Sequence, residues 1–127
     1  MTTPLKSGFR MPAEWEEHEC CWMQWPTESF PSNATLSWSH FDLEKARIAW
    51  ANVANAINKF EQLKMIVHPN DYQSALKLLD QNVEILKTPI DDAWCRDTGA
   101  IFLLNDKNQL AGVDSNFNCW GYKENFE

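Results

Sequence analysis

Positive charge is scarce in this sequence: 11 Lys and Arg stand against 18 Asp and Glu, a net charge of −7 and a pI near 4.9. That balance excludes the basic stripe that nucleic acid or an anionic membrane surface requires, and it favours cationic partners. No apolar run approaches membrane-spanning length, and the polar N-terminus has no secretory pattern, so cytoplasmic residence is the default expectation. The four cysteines lack metal-ligand spacing, and two are adjacent at Cys20-Cys21. Reduced thiols fit this better than a disulfide framework. Internal repeats and low-complexity runs are also missing.

What remains is a chain of 127 residues, read as one domain with a modest core. Met1 to Ser7 reads as a loose tail and Phe9 to Glu17 as an extended lead-in. Cys20 to Trp25 is a short strand stopped by Pro26, and Thr27 to Ser39 is a polar loop. Over Asp42 to Phe60 the spacing of Leu43, Ala46, Trp50, Val53, Ile57 and Phe60 predicts a helix, with Ser39 or Asp42 as its cap. Leu63 to His68 is a strand, with His68 satisfied locally at its end. Pro69-Asn70-Asp71 opens a second helix that turns Tyr72, Ala75, Leu76 and Leu79 inward. Val83 to Lys87 is a strand, and Ile101 to Leu104 reads as a buried one. It turns at Asn105–Asn108 into Leu110 to Val113, a hairpin. Strands alternating with two helices indicate an α/β layer architecture with a mixed sheet.

The chemistry is concentrated in Asp91-Asp92-Ala93-Trp94-Cys95-Arg96-Asp97-Thr98-Gly99. Trp94 and Asp97 are three apart, so a tight turn can aim both at one ligand in a common cleft. A carboxylate beside an aromatic face suits a planar cation, a guanidinium or an amine. The structural alternative pairs Arg96 with Asp91, Asp92 or Asp97 and leaves Trp94 in the core. A divalent-cation site on Asp91, Asp92 and Asp97 is a third reading, without the regular ligand spacing of a calcium loop. The pattern alone leaves all three open.

Asp92 to Gly99 resembles the D-A-W-x-R-D-x-G signature of agmatine deiminases, in the Porphyromonas-type peptidylarginine deiminase family of the pentein superfold. Phe9 to Glu16 resembles that family's opening, and Trp22-Met23-Gln24-Trp25-Pro26 its first strand. Gly112-Val113-Asp114 and Phe117-Asn118-Cys119-Trp120-Gly121 are similar to its G-V-D…F-N-A-W-G segment. Four motifs in the family's order make a specific match.

The resemblance implies one blade of a pentein α/β propeller, incomplete relative to the family. It implies hydrolysis of a guanidinium to a ureido group with release of ammonia, without metal or organic cofactor. Asp97 would be the catalytic, guanidinium-holding carboxylate and Trp94 the aromatic of the site, with Asn118 and Trp120 near the pocket. Asp92 and Arg96 would support the loop. The family's nucleophilic cysteine, its proton-shuttling histidine and further acids lie beyond Glu127 in motif order. Cys95 and Cys119 are therefore read as packing. Departures at Ala100, Ser115-Asn116 and Tyr122 touch the pocket rim.

Two classes of function follow. One is a deiminase-type hydrolase of which this is the N-terminal part, acting on agmatine or on peptidyl-arginine. The other is a non-catalytic cation-binding or interaction module. No arginine falls in Asn118–Gly121 to meet a substrate carboxylate, which favours agmatine. Exposed apolar surface predicts self-association or docking with the remainder of the family domain.

Overall fold

The computed structural model describes residues 3–28, 40–115 and 117. It divides into two compact units, one of residues 1–18 and 96–117, the other of residues 19–95 and 118–127.

The larger unit is a parallel sheet with its helices packed on it. Strand β2 (Cys21–Gln24) pairs with β3 (Leu63–Val67), and β3 pairs with β4 (Glu84–Lys87). The crossovers are α1 (His40–Ile57) and α2 (Tyr72–Leu78), the second led in by a 3-10 turn at Pro69–Asp71. Both crossovers step the same way along the order β2-β3-β4, which carries both helices to one face. Asn55 stitches them: its amide donates to Leu78 O at 3.0 Å and accepts from the N–H of Asp80 at 2.9 Å.

Side-chain alternation follows from that arrangement. Leu63, Met65 and Val67 on β3 are buried with Trp25, Ala51, Ala54, Ala75, Leu79 and Val83. The alternate residues Trp22, Lys64 and Glu84, in register with one another, point to the opposite face, where the Lys64 ammonium lies 5.5 Å from the Trp22 ring and 3.7 Å from Glu84. Truncating Met65 to Ala would remove core volume at a cost of about 2–5 kcal/mol.

The predicted helical stripe needs correction at its far end. Leu43 and Ala46 are buried as expected, and Trp50 and Ile57 pack on the core. Val53 and Phe60 do not: they are 51% and 89% exposed. The close-packed arc runs instead through Ala51 and Ala54, whose small side chains let the helix approach the sheet. Phe60 lies past the last helical residue. Leu76 is likewise exposed, whereas Ala75 and Leu79 are buried. Asp42 sits in the first turn, where its charge suits the helix dipole; Ser39, the other expected cap, falls outside the described residues. His68 is satisfied locally, as expected: its Nδ1 accepts from the N–H of Asn70 at 3.2 Å.

A buried ion pair locks the carboxyl ends of β2 and β3. Arg47 on α1 donates to Asp71 Oδ1 at 2.6 Å and to Pro26 O at 3.0 Å. Asp71 Oδ2 accepts from the Thr27 hydroxyl at 2.5 Å. Trp25, fully buried, donates its indole N–H to Ser74 Oγ at 3.1 Å, and that hydroxyl donates to Asp71 O at 2.7 Å.

The smaller unit is an antiparallel sheet in the order β1 (Phe9–Arg10), β5 (Ile101–Asn105), β6 (Leu110–Val113). Parallel and antiparallel strands thus sit in separate sheets. The β5–β6 hairpin is the expected one. Asn108 takes the left-handed conformation at φ 55°, tolerable for asparagine, and Asn105 Oδ1 accepts from the N–H groups of Lys107 and Gln109 at 3.0 and 2.9 Å. The run from Ile101 is not the buried strand its composition suggests. Only Leu103 is buried, because among the described residues of this unit no long helix covers the sheet.

Removing one member of the Arg47–Asp71 pair leaves the other charge buried. Asp71→Ala should cost roughly 3–5 kcal/mol in urea unfolding, with the double replacement Arg47→Met/Asp71→Leu recovering most of it. Additive losses in the double variant would show that the two side chains are not coupled.

Candidate functional site

Strand β4 delivers the chain to the signature stretch. Thr88 N–H still donates to Val67 O at 3.1 Å, after which the chain leaves the sheet. Asp92 then closes a tight local bond, its Oδ1 accepting from the N–H of Ala93 at 2.7 Å. Ala93 is buried, and its small side chain seats the segment. The next residue, Trp94, is thereby turned outward and stays 43% exposed.

Trp94 does not stand alone. Its ring meets Trp50 of α1 edge to face, with centroids 5.8 Å apart and planes at 70°. Such a contact adds about 0.5–1.5 kcal/mol beyond the area it buries. Trp50, expected as core, packs on the core cluster and also supports the aromatic of the signature. Trp94 thus meets Trp50 and remains partly exposed.

The single helical turn α3 (Cys95–Thr98) follows, where the sequence suggested a tight turn. Arg96 pairs with Glu14 at 3.0 Å, and the two side chains are 80% and 72% exposed. The brace expected from Asp91, Asp92 or Asp97 is therefore corrected: the carboxylate comes from the lead-in segment. A pair so exposed adds little stability. Asp97 is an exposed acidic residue of α3 and belongs to the smaller unit, Trp94 to the larger. Asp91 and Asp92 are half-buried in the larger unit. Asn118 and Trp120 fall outside the described residues.

Two features near the motifs had no clear signal in the sequence. Arg10 forms a two-pronged pair with Glu16 at 2.8 and 2.9 Å, and Glu16 Oε1 also accepts from the N–H of Ala13 at 2.8 Å. This clasp folds the opening motif over Pro12. Arg10 hydrogen bonds, aided by the Ala13 N–H, hold the Glu16 carboxyl down to about 2. In the larger unit, burial and then Glu61 push the Cys21 thiol up to about 11, which suits an inert thiol, not a nucleophile. A groove of about 390 Å³ between α1 and α2 is lined by Leu43, Ile48, Ser74 and Leu78 among others, and holds no signature residue.

The pattern of the Porphyromonas-type peptidyl-arginine deiminase family matches residues 10–127. A Legionella pneumophila strain Paris protein with the provisional name of agmatine deiminase is 49% identical over 121 residues, covering 94% of this chain and 33% of that protein. The agmatine deiminase of Pseudomonas aeruginosa strain LESB58 is 43% identical, with 94% and 31% covered. Among solved structures, the Enterococcus faecalis agmatine deiminase superposes with a TM-score of 0.79 at 35% identity, covering 95% of this chain and 31% of that one. This chain spans about a third of the length of the relatives it matches.

The clasp generates a pH prediction. A carboxyl lowered from 4.5 to about 2 favours the folded form above 4.5, and that contribution is lost as pH falls from 4.5 toward 2. An NMR titration of the Glu16 carboxyl should show a midpoint near 2, moving toward 4.5 in Arg10→Gln. An unmoved midpoint in that variant would remove Arg10 as the cause.

Proposed function

Since the chain belongs to the Porphyromonas-type peptidyl-arginine deiminase family, we propose that it supplies the guanidinium-holding part of an agmatine deiminase-type hydrolase. The observation that carries this reading is Trp94. A tryptophan that meets Trp50 edge to face and is still 43% exposed, three residues before Asp97 in the sequence, is a pairing that suits a flat cation.

The reaction is conversion of agmatine to N-carbamoylputrescine with loss of ammonia, a step toward putrescine in the cytoplasm. A thiolate adds to the guanidinium carbon, ammonia departs with a proton from a histidine, and water releases the ureido product. Asp97 accepts hydrogen bonds from guanidinium nitrogens and keeps the group cationic, while Trp94 covers its face. Asp92 fixes the turn at Ala93, and Arg96 ties α3 to Glu14. Asn118 and Trp120 complete the substrate-side residues. The chemistry needs neither metal nor organic cofactor. The thiolate and histidine come from the part of the family polypeptide outside these residues.

The test joins this segment to the remaining two thirds of the Pseudomonas aeruginosa relative. Asp97→Asn should weaken agmatine binding by roughly 2–5 kcal/mol. Unchanged affinity would take Asp97 out of the site, and a preference for an arginyl peptide over agmatine would reassign the substrate. The 127-residue chain by itself should give no ureido product. It should also self-associate in light scattering across a concentration series, through exposed residues such as Trp22, Phe102 and Leu110. Turnover by the purified chain would overturn the assignment of the nucleophile elsewhere, and a strictly monomeric species would exclude self-association.

A further inference from the structure

Helices α1 and α2 are tied together at two levels. Arg47 reaches Asp71 just before α2 begins, and Asn55 reaches Leu78, the last residue of α2. The two helices therefore run in the same direction, side by side on one face of the sheet. This alignment sets the order of charge along the groove of about 390 Å³ between them. Glu44 lies three positions before Arg47, at the end where both helices start. Glu28, which follows the Thr27 that bonds Asp71, lines the same end. Lys77 lies six positions after Asp71, toward the other end. By the rise per residue, Glu44 and Lys77 are offset by roughly 10–15 Å along the helix axes.

The rest of the groove is apolar or already neutralised. Arg47 lines its middle, but the charge of that side chain is held by Asp71. Ile48 and Leu78 line it while staying 46% and 38% exposed. Glu44 and Lys77 are both exposed, and among the described residues neither side chain has an ion-pair or hydrogen-bond partner. The face thus carries apolar surface to the solvent, with unlike charges at its two ends.

A surface acidic at one end, basic at the other and apolar between is complementary to itself under a twofold rotation. With the axis normal to the face, a second copy lays its helices antiparallel over the first. Glu44 of each copy then stands over Lys77 of the other, and the α1 ridge that carries Ile48 enters the facing groove. We propose that the groove between α1 and α2 is a docking face for a second copy of this chain, held by two reciprocal Glu44–Lys77 contacts around Ile48 and Leu78. A net charge of −7 makes two copies repel in most orientations, so a stable approach has to set acid against base. This face does so twice in one contact. It differs in kind from association through Trp22, Phe102 or Leu110, because it depends on the sign of two charges.

Charge reversal tests that dependence. Sedimentation equilibrium of the 127-residue chain gives the dimer Kd. Glu44→Lys sets two lysines face to face at each contact, and Lys77→Glu sets two glutamates there. Each single variant should raise Kd roughly tenfold or more. Both positions are exposed, so thermal melting of each variant should match that of the native chain. A 1:1 mixture of the two variants should recover the native Kd as a heterodimer, since both contacts again join unlike charges. The double variant Glu44→Lys/Lys77→Glu should recover it for the same reason. Ile48→Ser should weaken the dimer in every charge background. A native chain that stays monomeric would overturn the docking face, as would single variants with an unaltered Kd. Losses that neither the mixture nor the double variant recovers would overturn it too, because they would mean that Glu44 and Lys77 do not face each other.

Discussion

One carboxylate holds the larger unit in register. Asp71 receives Arg47 from α1 and Thr27 from the loop after β2, while its own backbone carbonyl receives Ser74 at the start of α2. Strands can pair and apolar faces can meet in more than one way, because the hydrophobic effect has no direction. The charged pair does have direction. A guanidinium and a carboxylate buried together tolerate little displacement before one of them is left unsatisfied. Trp25, fully buried, depends on the same arrangement through Ser74. The ends of β2 and β3, and the first residues of the loops that leave them, are thereby fixed relative to α1.

That fixity extends toward the signature. Helix α1 is clamped near its middle by Arg47 and seated on the sheet by Ala51 and Ala54, and between those points it presents Trp50 to Trp94. Ala93 is buried beside an exposed tryptophan, so a single step in the chain passes from the packed interior to the surface. The Arg10–Glu16 clasp and the Arg96–Glu14 pair tie the smaller unit more weakly, at exposed positions where salt screens them.

Much of this was legible in the sequence, and the gaps have physical causes. The three strands of the parallel sheet, both crossover helices and the hairpin follow from apolar periodicity and turn residues. Family membership follows from four ordered motifs. The stripe of α1 was read partly wrong because periodicity weighs Val53 and Phe60 as strongly apolar and alanine hardly at all, whereas close helix–sheet packing selects Ala51 and Ala54. The run Ile101–Leu104 looked buried because composition does not reveal whether a helix covers the strand. Arg47, Asp71 and Thr27 lie far apart in sequence, and nothing local marks residues as partners across 24 or 44 positions. The pairing of Trp50 with Trp94 is hidden for the same reason. Arg96 had three nearby carboxylates to choose from and took a distant one.

The three parallel strands of the larger unit all end on one rim, so Trp25, His68 and Thr88 begin three loops that depart side by side. Those loops can diverge separately. An insertion beyond Thr27, after His68 or between Thr88 and Asp92 alters what stands above the rim without changing a residue of the buried cluster. The Arg47–Asp71 clamp lies beneath two of them and isolates the sheet from their drift. A fold with this layout can exchange its loops while its stability is inherited almost unchanged, which separates the evolution of the rim from the evolution of the scaffold.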